Sequence, residues 1–118
     1  MSEYSSLKGK TGLKRIINAT GYSLAGFKAA YQHEAAFRQI VLINVILIPI
    51  TFFLDVTRIE QAVMIAVCLL AMIVELFNSA IEAVVDRVSL DKHPLSKNAK
   101  DMGSAAQFVA QTIIIATW

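Results

Sequence analysis

Five polar side chains follow one another at helical spacing within a long apolar stretch of the chain. They lie in MIVELFNSAIEAVVDR and are Glu75, Asn78, Ser79, Glu82 and Asp86. Their spacing of i, i+3, i+4, i+7 and i+11 puts them on one face of an α-helix. An ionisable group inside a membrane span costs about 2.5–3.5 kcal/mol on insertion scales, and such groups mark functional sites by default. The stripe therefore predicts a carboxylate site.

The predicted depth of these acids differs along the helix. Glu82 lies about 10 Å beyond Glu75 at a rise of 1.5 Å per residue, so Glu75 is the deepest and Asp86 is near water. This gradient suits a site where an apolar reactant meets a polar one. Other interpretations stay open: Glu75 as a structural group, Asn78 and Ser79 as interhelical contacts, and Asp86 as a solvated helix end.

Two further segments carry groups that suit phosphate and metal binding. Glu34, in HEAAFRQ, is expected on the same side of the membrane as Glu82, and Mg²⁺ sites take one or two carboxylates with phosphate oxygens and water. The spacing does not show that the two acids meet, so Glu34 as a surface charge stays open. In AKDMGSAA, Lys100 and Asp101 precede small residues, which predicts a phosphate contact from Lys100 or only a close helix contact.

The composition favours a membrane protein. The 118 residues are 56% hydrophobic and 17% charged, with a mean hydropathy of +0.57, and a soluble domain of this size has too little interior to bury so much apolar surface. A soluble bundle that oligomerises is the alternative. The net charge of +2, without a basic run among aromatic residues, argues against nucleic-acid binding. The lone Cys68 excludes an intramolecular disulfide.

An all-α membrane protein with one domain over residues 1–118 is therefore the predicted fold class. An amphipathic helix at the membrane surface is expected at about residues 7–35, with a break weighed at Gly21. Three membrane spans follow, at about residues 36–54, 61–86 and 100–118. A helix needs about 17–25 residues to cross a bilayer. The polar N-terminal stretch does not predict a cleavable signal peptide.

The basic residues predict an orientation. Six of the eleven Lys and Arg residues lie in residues 1–38, and four lie in residues 87–100. Because cytoplasmic loops carry an excess of these residues, the N-terminus and the long loop are expected in the cytoplasm. The short loop around Arg58 and the C-terminus are expected on the other side.

The segments EAAFRQ, MIVELFNSAIEAVVDR and AKDMGSAA, in this order, resemble the small prokaryotic diacylglycerol kinases. The resemblance runs from about Gly12 to Trp118. It implies a homotrimer of three-span protomers in the bacterial cytoplasmic (inner) membrane, with active sites between subunits at the cytoplasmic face. It also implies that the chain uses MgATP to phosphorylate the primary hydroxyl of diacylglycerol, which gives phosphatidic acid. Undecaprenol, a polyprenol accepted by related enzymes of the same fold, stays open as the acceptor.

The resemblance also implies roles for individual residues. Glu75 matches the general base and Asn78 a residue beside it, while Glu34 and Glu82 match the acids that bind the Mg²⁺ of MgATP. Implied contacts with the nucleotide are Arg15, Tyr22, Glu34, Glu82, Asp91, Lys92, His93, Lys100 and Asp101. Implied contacts with the lipid are Arg15, Ala36, Phe37, Arg38, Gln39, Glu75 and Ser104.

Two other classes of protein remain as alternatives. A small proton-coupled transporter would use Glu75 as its coupling site, but such proteins show internal repeats, and no repeat is visible here. A structural or assembly protein would use Asn78, Ser79, Gln107 and Gln111 as interhelical contacts. Neither alternative needs both Glu34 and Glu82, whereas a kinase does.

Overall fold

Residues 12–118 are described by a computed structural model, and within this range every regular element is helical. The elements are α1 (Gly12–His33), α2 (Ala35–Ile50), a short 3₁₀ turn (Thr51–Phe53), α3 (Arg58–Val88) and α4 (Pro94–Thr117). The predicted all-α class is therefore confirmed for this part of the chain. The first residues of the predicted surface helix, 7–11, lie outside the described range.

α3 is the central element of the structure. α2 and α4 each pack against α3 without packing against each other, and α1 contacts α2 and α3. The described part measures 56 × 45 × 22 Å, which is little more than two helix diameters in its thinnest direction. In so thin an arrangement each helix covers only part of its neighbour. Large apolar side chains such as Phe77, Phe108 and Ile115 consequently remain 67–78% exposed.

Two helical segments are long and apolar enough to cross a membrane. They are Ala35–Phe53, with 19 residues, and Arg58–Val88, with 31 residues. At 1.5 Å per residue, α3 is about 46 Å long and exceeds the roughly 30 Å of the hydrocarbon core. α4 has 24 residues but is more polar and does not meet the same criterion. A third span at residues 100–118 thus stays a prediction.

The chain turns between α1 and α2 at a single residue, Glu34. Its backbone is extended, with φ −121° and ψ 110°, and the Arg38 guanidinium donates to the carbonyl oxygens of Tyr31 at 2.7 Å and Gln32 at 3.3 Å. The side chain of Arg38 thereby satisfies carbonyls that the end of α1 leaves free. The break weighed at Gly21 was wrong, because α1 continues through it; one glycine in a helix costs only about 1 kcal/mol.

α3 begins with a reciprocal pair of hydrogen bonds at its N-terminus. The Glu60 backbone N–H donates to Thr57 Oγ1 at 3.1 Å, and the Thr57 backbone N–H donates to Glu60 Oε1 at 2.8 Å. This capping box satisfies two amide groups that the first turn would otherwise leave without partners. It fixes the first residue of the helix that carries the polar stripe.

Replacing Thr57 by alanine is expected to destabilise the fold by about 1 kcal/mol, because the cap is lost. Thermal unfolding of the purified protein in detergent measures the effect. Thr57→Ser keeps the hydroxyl and is the matched control, for which little change is expected. Equal unfolding temperatures for Thr57→Ala and the wild type would show that the capping box does not limit stability.

Candidate active site

The predicted stripe of α3 faces α4, and α4 supplies its partners in antiparallel order. Glu75 is 4% exposed, and its Oε2 accepts a hydrogen bond of 2.6 Å from Gln107 Nε2. Nearer the end of α3, the exposed Asp86 Oδ1 pairs with Lys100 Nζ at 2.9 Å. The α3–α4 contact therefore contains polar groups that run from a buried level to an exposed level.

We call this arrangement the polar ladder. It comprises Glu75, Asn78, Glu82 and Asp86 of α3 together with Lys100, Gly103 and Gln107 of α4.

The middle of the polar ladder depends on a close approach between the helices. Gly103 is buried, and a Cβ atom at this position would overlap Oδ1 of Asn78. Asn78, 7% exposed, donates through Nδ2 to Glu82 Oε1 at 3.4 Å. Its Oδ1 is buried and accepts no hydrogen bond from any residue within 12–118. The close-contact interpretation of AKDMGSAA thus holds at Gly103, whose lack of a side chain makes room for Asn78.

The structure brings Glu34 within electrostatic reach of the polar ladder. Burial of the half-exposed Glu34 raises the pKa of its carboxyl above the ordinary 4.5, and the negative charges of Glu82 and Glu75 raise this pKa further. Glu34 thus lies close enough to these two acids of α3 for like-charge repulsion to disfavour its ionised form. The sequence left open whether Glu34 and Glu82 meet, and the fold brings them to one region.

These acids fit a hard divalent cation that is completed by other ligands. Carboxylate oxygens are the ligands that Mg²⁺ prefers, and Mg²⁺ usually keeps waters or phosphate oxygens in its remaining positions. No cluster of three or more His, Cys, Asp or Glu side chains with metal-binding geometry occurs among residues 12–118. Two carboxylates leave most coordination positions of such a cation to other ligands, and Mg²⁺ binding at Glu34 and Glu82 stays a prediction.

A cavity of about 720 Å³ lies where α3 ends and α4 begins. This volume falls in the range of roughly 300–1,000 Å³ typical of small-molecule sites. Positively and negatively charged side chains both line the cavity. Two of them, Lys97 and Asp101, form an ion pair with Nζ and Oδ2 2.6 Å apart. Five of the side chains that the resemblance assigns to the nucleotide line the cavity: Asp91, Lys92, His93, Lys100 and Asp101.

His93 also starts α4. Its Nδ1 accepts a hydrogen bond of 3.1 Å from the Leu95 backbone N–H, and Pro94 occupies the first helical position, where its missing N–H costs nothing. The side chain of His93 thus caps the helix that carries Lys100 and Gln107. This local role holds the cavity wall in place.

Four of the nine residues assigned to the nucleotide do not line the cavity: Glu34 and Glu82, described above, and Arg15 and Tyr22. Arg15 and Tyr22 lie on α1 and are exposed. Among the residues that the structure describes, neither side chain forms a hydrogen bond within the chain. Their assignment to the nucleotide stays a prediction.

Five of the seven residues assigned to the lipid lie at the start of α2 or on α4, and the other two are Arg15 of α1 and Glu75 of α3. Phe37 is buried and stacks on Phe27 of α1 with ring centroids 6.4 Å apart, and Arg38 caps α1. Ala36 is half-buried, while Gln39 and Ser104 are exposed. Phe37 and Arg38 therefore hold α1 against α2, and the assigned contacts with lipid stay predictions.

Two polar residues in apolar surroundings were missed or underrated in the sequence. Gln107 was considered only as an interhelical contact, and Asn44 was not singled out. Asn44 is 4% exposed, and its Nδ2 donates to the carbonyl oxygen of Cys68 at 3.1 Å. The sequence did offer a signal for each residue, namely an amide side chain among mostly apolar neighbours in α2 and in α4. The partner of each amide depends on the register between helices, which sequence spacing does not give.

Replacing Glu34 by glutamine is expected to stabilise the protein near neutral pH when no divalent cation is present. The pKa of Glu34 is higher in the folded state than in the unfolded state. The protonated Glu34 side chain therefore adds to the free energy of unfolding below the unfolded-state pKa, and this contribution is lost as pH rises through the folded-state pKa. Above that pKa the ionised Glu34 is a cost, which glutamine removes. Unfolding temperatures of the variant and the wild type are compared in the presence of a chelator. The variant is expected to unfold at a higher temperature at about pH 7, and this difference is expected to disappear at about pH 4.

Asp55→Asn is the matched control for this experiment, because Asp55 is an exposed acid at the opposite end of α3. It is expected to give no comparable gain at neutral pH. A Glu34→Gln variant less stable than the wild type at neutral pH would contradict the electrostatic account of Glu34.

Comparisons with known proteins agree with the predicted resemblance. A sequence model of the family described as prokaryotic diacylglycerol kinase matches residues 21–118. A Pseudomonas aeruginosa protein named diacylglycerol kinase is 76% identical over 114 residues, covering 97% of this chain and 93% of that protein. Proteins of the same name from Haemophilus influenzae and Escherichia coli K12 are 51% and 49% identical over 108 residues. These two alignments cover 92% of this chain, and 92% and 88% of the respective relatives. This chain therefore belongs to the prokaryotic diacylglycerol kinase family of enzymes.

Proposed function

We propose that the chain transfers the γ-phosphoryl group of MgATP to the primary hydroxyl of diacylglycerol, which gives phosphatidic acid. The observation that carries this proposal is the gradient along the polar ladder. Glu75 is buried at one end, and the exposed end holds Lys100 and the acid Asp86 beside a cavity of about 720 Å³. The hydroxyl of a membrane lipid lies below the membrane surface, as the buried end does, whereas a soluble nucleotide stays in water, as the exposed end does.

The surroundings of the polar ladder support a place in the bacterial inner membrane. Two apolar helices are long enough to cross a bilayer, and α4, with 24 residues, has the length of a third span. The distribution of Lys and Arg supports an N-terminus and an active site on the cytoplasmic side. The exposed apolar side chains of these helices then contact lipid or other subunits instead of water.

Glu75 has the surroundings of a general base in this reaction. An alcohol is a poor nucleophile, and a positioned carboxylate that accepts its proton contributes typically about 10²–10⁴-fold in rate. The hydroxyl oxygen forms the new bond to the γ-phosphorus atom, the bond from that phosphorus to the ADP oxygen breaks, and the hydroxyl proton passes to Glu75. Asn78, one turn away toward the exposed end, orients groups near this carboxylate.

The phosphates are held at the exposed end of the polar ladder. Phosphoryl transfer depends mainly on position and on neutralisation of charge. Glu34 and Glu82 would hold the Mg²⁺ that accompanies ATP, and the bound ion would supply positive charge to the phosphate oxygens. Lys100 adds a second positive group, and Asp91, Lys92 and His93 contact the nucleotide from the loop.

A homotrimer completes this site. Arg15 and Tyr22 are exposed on α1 and do not line the cavity of their own chain, which supports their contribution to the site of a neighbouring subunit. The thin shape of the described part also leaves apolar helix faces that subunit contacts can cover. The lipid then reaches Glu75 along Ala36 to Gln39 and Ser104.

Transfer of label from radiolabelled ATP to an acceptor in mixed micelles tests the proposal. With Mg²⁺ and diacylglycerol, we expect labelled phosphatidic acid, and removal of Mg²⁺ with a chelator is expected to abolish its formation because the phosphate charge is no longer neutralised. Excess Mg²⁺ added back is the control and should restore the rate.

The same assay with undecaprenol separates the two acceptor lipids. A higher kcat/KM for undecaprenol than for diacylglycerol would show that undecaprenol is the preferred acceptor of this chain. Absence of transfer to either lipid, from protein that remains folded and assembled, would overturn the proposed kinase activity. Proton flux through reconstituted vesicles would then test the transporter alternative.

A further inference from the structure

The orientation of the Glu75 carboxylate depends on one donor, Gln107. Its Nε2 donates to Glu75 Oε2 at 2.6 Å across the α3–α4 contact. Glu75 is 4% exposed and accepts no other side-chain hydrogen bond from the residues that the structure describes. A carboxylate without a partner in an apolar setting would turn away or be costly to bury. Gln107 therefore decides which way this carboxylate faces.

The neighbours of Gln107 on α4 explain why its amide reaches Glu75. Gly103 lies four residues before Gln107 and Ala110 three residues after it, so each is about one helical turn away on the same face, and both are buried. Their small size allows α4 to lie close to α3. Gln107, half-buried between them, extends its amide across the contact. The exposed Gln111, one turn further along α4, has the same side chain but no hydrogen bond of this kind.

We propose that Gln107 is a positioning residue, which holds Oε2 of Glu75 so that Oε1 faces the hydroxyl of the acceptor lipid. This inference rests on the proposed function. An amide N–H donates to a carboxylate but does not accept its proton. Gln107 therefore orients the base without competing with it, and the hydrogen bond to Oε2 is compatible with a proton on Oε1.

Gln107→Met tests the inference, because methionine has a similar length but lacks the amide. Glu75 then loses its donor, and we expect kcat to fall by at least about tenfold, toward the roughly hundredfold that a misplacement of about 1 Å can cost. KM for MgATP is expected to stay near the wild-type value, because the phosphates are held at the other end of the polar ladder. Gln111→Met is the matched control and should keep the wild-type kcat.

A double variant separates positioning from a merely structural role. When Glu75→Gln has removed the base, Gln107→Met should lower the residual rate no further, because there is no base left to orient. If Gln107 only held α4 against α3, the second substitution would reduce the rate by the same factor in both backgrounds. Equal factors would overturn the inference, and so would a wild-type kcat in Gln107→Met.

A second substitution serves if Gln107→Met does not fold. Gln107→Asn keeps the amide but withdraws it by one methylene, and the same loss of kcat with unchanged KM for MgATP is expected. Wild-type kcat in Gln107→Asn would overturn the inference. The assay of the unaltered enzyme distinguishes the two proposals: no transfer to lipid by the wild type overturns the proposed function, whereas transfer unaffected by Gln107 overturns only the positioning role.

Discussion

The burial of one carboxylate between α3 and α4 is the constraint on which the rest of this structure depends. A buried acid without a partner is costly, and Glu75 is 4% exposed in the middle of α3. The hydrogen bond from Gln107 partly offsets this cost, and it forms only because α4 lies close to α3 at Gly103. The helix contact and the site are thus the same feature of the fold.

The length of α3 connects this buried acid to the polar end of the site. The helix has 31 residues, so it continues well past Glu75 and carries Glu82 and Asp86 on the same face. The loop after α3 returns the chain directly to α4, which begins at the cap formed by His93 and places Lys100 opposite Asp86. Two antiparallel helices therefore carry polar groups from a buried level to an exposed level, which is the arrangement that the proposed reaction needs.

Much of this arrangement could be predicted from periodicity, and some of it could not. The 3.6-residue period fixes that Glu75, Asn78, Glu82 and Asp86 share a face, and the structure turns that face toward α4. Periodicity within one helix does not give the register between two helices, so the partnership of Gln107 with Glu75 was not predicted. The same reason left the approach of Glu34 to Glu82 undecided, since Glu34 reaches this region through the turn between α1 and α2.

Other differences have local causes. A break at Gly21 was weighed because glycine weakens helices, but the cost of a single glycine is small and the turn occurs at Glu34 instead. Arg15 and Tyr22 are exposed on α1 and do not line the cavity, and contacts between subunits cannot be derived from one chain. The capping role of Arg38 was missed because its acceptors, the carbonyls of Tyr31 and Gln32, become available only where α1 ends.

The most direct test of the account compares the chemical step with nucleotide binding in Glu75→Gln. Glutamine keeps the size and the hydrogen-bonding capacity of the side chain but does not accept the proton of an alcohol. The account predicts that kcat for transfer to diacylglycerol falls by about 10²–10⁴-fold, while the affinity for MgATP, measured by equilibrium binding to the assembled protein, is retained. A Glu75→Gln variant that phosphorylates the lipid at the wild-type rate would contradict the account and reduce Glu75 to a structural acid.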